Sequence, residues 1–149
     1  MGFRFSLAAV LLVRENTKKR AEQDLRTTQL EIGRMTRQVE NCNLDIANTQ
    51  IARERAMQQP IPGGELHSFD NRVKTITAVK KQLIERLQVL ERERDRKMKI
   101  YQAANRDLET IVEMRDEQRT AYEQEKSLNE QKQLDDIFAA RSVKETKSN

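Results

Sequence analysis

The sequence predicts an all-α fold, two long helices in an antiparallel coiled-coil hairpin, with the second helix longer than the first. Three observations carry that prediction. Charged residues make up 35% of the 149-residue chain, aromatics only 4%, and Trp is absent, so a thick two-layer core would lack filling. Apolar residues recur at spacings of three and four over long stretches. One short segment, Pro60-Ile61-Pro62-Gly63-Gly64, interrupts that pattern. Disorder is the competing reading of such high charge. It loses ground because the net charge is only +4 and the apolar residues are periodic.

The first helix is expected over about residues 5–57. Its stripe runs through Leu7, Leu11, Lys18, Ala21, Leu25, Thr28, Ile32, Met35, Val39, Cys42, Ile46 and Thr49. Gly33 is the one glycine inside it, at a cost of about 1 kcal/mol relative to Ala. Cys42, the only cysteine, excludes an internal disulfide; within the stripe it reads as a small core residue in a reducing compartment. The apolar run Leu7–Val13 is only seven residues long, with charges at Arg14 and Glu15 and no small-residue cleavage site beyond, so it does not read as a signal sequence; a spanning helix needs roughly 20 apolar residues. The run reads as the first buried turns of the helix. The opening Met1-Gly2-Phe3-Arg4-Phe5-Ser6 also fits a myristoylation pattern, meaningful only in a eukaryotic cytosol.

A turn is expected over about residues 58–68, because two prolines remove backbone donors and the glycine pair permits positive φ. Ser68 or Asp70 then offers a cap for a second helix over about residues 69–141, followed by a frayed tail to 149. That helix places Val73, Ile76, Lys80, Leu83, Leu87, Leu90, Tyr101, Ala104, Leu108, Ile111 and Tyr122 on one stripe. Neither narrow stripe can be buried by a lone helix, and a short connection favours antiparallel neighbours. Folding back at the turn pairs residue numbers that add to roughly 125 at 1.5 Å rise per residue. Beyond about residue 122 the second helix then has no intrachain partner, although Leu128, Leu134, Ile137 and Phe138 still lie ahead. A second apolar line, Leu30, Leu44 and Ile51, points away from the seam in this register, with Val79 and Ile84 also off the seam. A one-step register error would bury that line instead.

Polar residues interrupt the seam at Arg94, Lys97, Arg115, Gln118 and Glu125. They read as snorkelling side chains that fix register, with a hinge or partner-reading site as the sharper alternative. Charge is segregated along the second helix. Residues 72–99 hold ten Lys/Arg against four acids, and residues 107–136 hold ten acids against four bases, a solvated face or a docking surface.

Catalytic equipment is not expected. His67 is the only histidine and no metal-ligand spacing surrounds it. No nucleophile–base pair has a cleft to share, and Gly63-Gly64 lacks the Lys-Ser/Thr of a phosphate loop. The reading is therefore of a protein that is not an enzyme, with no cofactor and no metal. Nucleic acid is disfavoured as well, since the basic stretch lacks interleaved aromatics for stacking.

The ends of the chain resemble the flagellar FliJ family. Phe3-Arg4-Phe5-Ser6-Leu7-Ala8-Ala9-Val10-Leu11-Leu12-Val13-Arg14-Glu15 is similar to the family's opening helix, which begins with an aromatic, leucines and an Arg-Glu pair. Glu130-Gln131-Lys132-Gln133-Leu134-Asp135-Asp136-Ile137-Phe138-Ala139-Ala140-Arg141 is similar to its closing Gln-Lys, Leu/Met-Asp-Glu and Arg pattern, with Asp136 in place of the usual Glu. The resemblance implies a cytoplasmic component of the type III export apparatus, peripheral at the inner membrane through its partners and monomeric when free. It implies a stalk in the hexameric export ATPase that links to the export gate's cytoplasmic platform and escorts export chaperones. Phe5, Leu7, Leu11 and Arg14, with Leu134, Asp135, Ile137, Phe138 and Arg141, would form the ATPase-binding end, although Leu7 and Leu11 also suit plain seam positions. Leu30, Leu44, Ile51, Val79 and Ile84 would face the gate. The alternatives are a holdase-like chaperone or oligomeric scaffold, or the equivalent stalk of a virulence injectisome.

Overall fold

The computed structural model describes residues 2–147. It contains two helices, α1 (Ala8–Met57, 50 residues) and α2 (Gly63–Lys147, 85 residues), and no strand among the described residues. The chain is an all-α antiparallel coiled-coil hairpin whose second helix is the longer. Its contacts form two compact units. The turn unit is Lys19–Gln102, and the end unit is Met1–Lys18 with Ala103–Asn149.

In the turn unit the buried face is the one the spacing predicts. Leu25, Thr28, Ile32, Met35, Val39, Cys42, Ile46 and Thr49 of α1 are all buried or half-buried, as are Val73, Ile76, Lys80, Leu83, Leu87, Leu90 and Tyr101 of α2. Leu90 is the most enclosed side chain at 0% exposure, and full burial of a leucine contributes about 1.5–3 kcal/mol. Thr28 is nearly as enclosed, and its hydroxyl accepts a 2.8 Å hydrogen bond from Lys97 Nζ across the two helices. The polar interruption at Lys97 is thus a specific cross-helix bond. Polar groups at core positions define register because a slipped pairing strands them without partners. The buried hydroxyl of Thr49 bonds back to the Asp45 carbonyl at 2.7 Å. Glu31 and Arg86 approach to 3.7 Å from opposite helices.

In the end unit Leu7, Leu11 and Lys18 are half-buried, opposite a stripe of Ala104, Leu108, Ile111 and Arg115. Ala104 alone is buried. Gln118 and Glu125, expected as polar seam positions, are exposed, and Tyr122 is the last residue of α2 with any substantial burial. The contacts Phe3–Tyr122 in this unit and Thr28–Lys97 in the other both obey the expected pairing rule.

Helix boundaries differ from expectation at the turn, and the reason is local. Pro60 bars Gln59 from helical geometry, so α1 ends at Met57 and its last turn tightens, with Gln58 and Gln59 amides donating to the Arg55 and Ala56 carbonyls. The second helix starts at Gly63 rather than near 69. The Pro62 carbonyl accepts from the Glu65 and Leu66 amides, which makes Pro62 the cap position. The half-buried Ile61 and Leu66 then occupy the two positions of a hydrophobic staple. Glu65 adds a carboxylate to the first turn, where it meets the positive end of the helix dipole. No glycine here has positive φ, so the glycine pair serves as helix rather than as turn. Ser68 and Asp70 lie inside α2 and cap nothing. Asp70 Oδ1 instead lies 3.1 Å from Arg53 Nε of α1, an ion pair whose N–H is not aimed along the line to the oxygen. At the other end α1 begins at Ala8, not near 5, and α2 continues helically through 142–147, where a frayed tail was expected; residues 148 and 149 lie outside the described residues.

Candidate partner-binding surface

Three groups of side chains have a geometry that the two-helix seam does not use. The first is the outer line of α1 in the turn unit. Leu30 is 64% exposed, Leu44 62% and Ile51 47%. Steps of seven residues return to nearly the same side of a helix, so the three form one line facing away from the seam residues Ile32, Val39 and Ile46. The sequence register is therefore the correct one, and the one-step alternative is excluded. Val79 and Ile84 of α2 are also exposed. Five residues separate them, which sets them roughly 140° apart around the helix, so they do not share a face with each other.

The second group is the end of α2. Every described residue from Glu123 to Lys147 is exposed, including Leu128, Leu134, Ile137 and Phe138. Continuing the seam by sevens from Tyr122 leads to Asn129, Asp136 and Val143. Leu134 and Phe138 lie on the side roughly opposite that line, and Ile137 sits about 100° round the helix from it, at 100° per residue. They are not an unfinished length of the seam. A longer α1 along that line would leave Leu134 and Phe138 uncovered. Asp135 and Arg141 are exposed on the same segment.

The third group gathers at the non-helical segment of chain ahead of α1. The Phe3 ring packs on Tyr122 with centroids 5.7 Å apart and planes tilted by 50°. The Arg119 guanidinium carbon sits 5.5 Å from the Phe3 centroid, a cation–π distance. Gly2, Arg4, Gln118, Ala121 and Glu125 complete an open groove around the rings. Phe5 is half-buried nearby in sequence, and Leu7 and Leu11 are half-buried seam residues. Arg14 pairs with Asp107 at 3.5 Å with both side chains largely exposed, a contact of small energetic weight.

Phe3, Arg119 and Tyr122 were not singled out together by sequence reasoning. Tyr122 was legible as a seam position, whereas Phe3 lies outside any helix and no periodicity reports it. Val10, Leu12 and Val13 are also exposed, so this length of α1 is apolar beyond its seam. Its even apolar run had concealed which side is covered.

Among the described residues, no group of three or more His, Cys, Asp or Glu is placed to hold a metal ion, and no helix is long and apolar enough to cross a membrane. His67 borders a shallow groove with Gln50, Arg53, Asp70, Val73 and Lys74. The two oppositely charged stretches of α2 fall in different units, the basic one in the turn unit and the acidic one in the end unit.

The family model for the flagellar FliJ protein matches residues 3–147, nearly the whole chain. No curated relative and no solved structure matches it.

Proposed function

The chain belongs to the flagellar FliJ family, components of the flagellar protein export apparatus, and we propose that it works there as a non-enzymatic stalk for the hexameric export ATPase. The observation that carries this reading is the bare end of α2, where Leu134, Ile137 and Phe138 are exposed away from the seam line. Apolar and aromatic side chains grouped on an uncovered helix are the anchors that dominate protein interfaces. In this reading they enter the ATPase, with Asp135 and Arg141 at their edge and Phe5, Leu7, Leu11 and Arg14 completing the ATPase-binding end. Binding promotes assembly and activity of the ATPase. No side chain of the stalk performs chemistry.

The outer line Leu30, Leu44 and Ile51 supplies a second surface, which we assign to the cytoplasmic platform of the export gate, with Val79 or Ile84 contributing from α2. Export chaperones are further partners. The stalk then acts as a monomer in the cytoplasm, held at the inner-membrane face by its partners.

Replacing Leu134, Ile137 and Phe138 together by Ser in the full chain tests the ATPase assignment. Helical content and melting should stay close to wild type, since surface changes cost within about 0.5 kcal/mol each. ATPase affinity should fall at least tenfold, with loss of its stimulation. Unchanged affinity and unchanged stimulation refute the assignment. For the gate, Leu44→Ser with Ile51→Ser should weaken platform binding and motility while ATPase binding survives.

A further inference from the structure

The start of α1 is poorly fastened by its own residues. The Leu11 amide donates to the Leu7 carbonyl at 2.9 Å, which makes Leu7 the cap position, and a leucine side chain offers the first amides no acceptor. The residue ahead of the cap is the exposed Ser6, so no hydrophobic staple closes on Leu11. The first turn carries no acid, and Arg4 puts a positive charge just ahead of a helix end that is itself positive. At the start of α2, by contrast, Ile61 with Leu66 supplies the staple and Glu65 the acid. Leu7 and Leu11 are half-buried rather than buried, so the seam holds this start loosely.

The segment ahead of α1 supplies the missing hold. Its exposure alternates, with Phe3, Phe5 and Leu7 half-buried and Gly2, Arg4 and Ser6 exposed, the pattern of an extended stretch with one face laid on a surface. One end is fixed where the Phe3 ring rests on Tyr122 with the Arg119 guanidinium over it. The other end is tied to the helix by the Ala8 amide, which donates to the Phe5 carbonyl at 3.3 Å. A tilted ring pair and a cation–π contact are a weak hold, and such a hold opens readily. A helical turn is costly to nucleate, so a start that loses its external tie unwinds over several residues.

We infer that Gly2–Leu7 is a releasable strap that controls the helical state of the first turns of α1. With Phe3 seated on Tyr122 the turns from Ala8 to about Arg14 are formed; with Phe3 displaced they unwind. Release hands over Leu7–Val13, seven consecutive apolar residues, as a free segment, so the end unit has a closed and an open form. The device belongs to the chain alone and does not depend on which partner it meets.

The test is residue-resolved amide hydrogen exchange on the full chain. In the wild type, amides of Leu11–Arg14 should exchange at least tenfold faster than those of Leu25–Thr28, as a local opening requires. Phe3→Ala should speed exchange at Leu11–Arg14 about fivefold and leave Leu25–Thr28 unchanged, whereas Phe3→Tyr, which keeps the ring, should stay within about twofold of wild type. Ala9→Glu adds an acid at an exposed position of the first turn and should recover at least half of the protection lost in Phe3→Ala. If Leu11–Arg14 exchange in Phe3→Ala as in wild type, the seam leucines hold the helix start and the strap is overturned. If Leu25–Thr28 speed up equally, the hairpin opens as a whole and the local switch is overturned. Equal protection of the two stretches in the wild type would mean a fixed clasp rather than a releasable one, and failure of Ala9→Glu to recover any protection would overturn the account of a helix start that needs an outside tie.

Discussion

The turn unit and the end unit are built from the same two helices, yet they close to different degrees. Of the six buried residues among those described, Ala21, Leu25, Thr28, Thr49 and Leu90 lie in the turn unit and Ala104 lies in the end unit. The turn unit also holds the cross-helix hydrogen bond from Lys97 to Thr28 and the ion pairs Arg86–Glu31 and Arg53–Asp70. The end unit relies on half-buried leucines, the Arg14–Asp107 pair and the Phe3–Tyr122 contact. One region satisfies its own seam, and the other leaves most of its length of α2 bare. The difference separates two ways a coiled coil can use apolar residues: toward its own partner strand, or outward for something else.

The largest effect that could break this comparison is at Leu90. Leu90→Ala should cost about 2–5 kcal/mol by denaturant unfolding, whereas Leu108→Ala, on a half-buried seam position of the end unit, should cost clearly less. Equal losses would mean that the end unit is closed as tightly as the turn unit. Next comes the polar pin. Thr28→Val removes the acceptor of a partly buried ammonium and should cost about 1–3 kcal/mol, with Thr28→Ser recovering much of it. A neutral Thr28→Val would make the bond incidental to register. Phe3→Ala should have a smaller and local effect, about 1 kcal/mol or less. It should speed hydrogen exchange of amides around Arg119–Tyr122 and leave those around Leu90 untouched. The smallest effect is expected for Leu128→Ser, within about 0.5 kcal/mol of wild type. A larger loss would show that the end of α2 has a stabilising contact of its own.

Much of the architecture was legible because a coiled coil writes its packing into spacing. The stripe through Leu25, Ile32, Val39 and Ile46 is the buried face, and the outward line of Leu30, Leu44 and Ile51 follows from the same register. The start of α2 was not legible. Periodicity weakens between Pro62 and Phe69, and the glycine pair reads as a breaker when considered one residue at a time. What decides the boundary is a combination across six positions, a carbonyl at Pro62 with Ile61 and Leu66 on either side. The Phe3 contact was hidden for a different reason. It joins residues far apart in sequence through a segment with no repeating conformation, so neither period nor propensity points to it. Lys97 shows the limit within the helix itself: spacing puts the charge on the seam and the pairing rule sets Thr28 opposite it, but that the two hydrogen-bond depends on the side chain's reach.

The clasp of Phe3 on Tyr122 has a consequence for anyone who handles the protein. An affinity tag or fluorescent label fused just ahead of Phe3 would compete with the ring for its groove on α2, and a label placed after α2 would crowd the bare helical face. Gln58, Gln59 and Pro60 are exposed, lie between the helices and take part in neither the seam nor that clasp. A short insertion there is the least intrusive handle, because the local geometry it must respect is the carbonyl of Pro62 and the tightened last turn of α1.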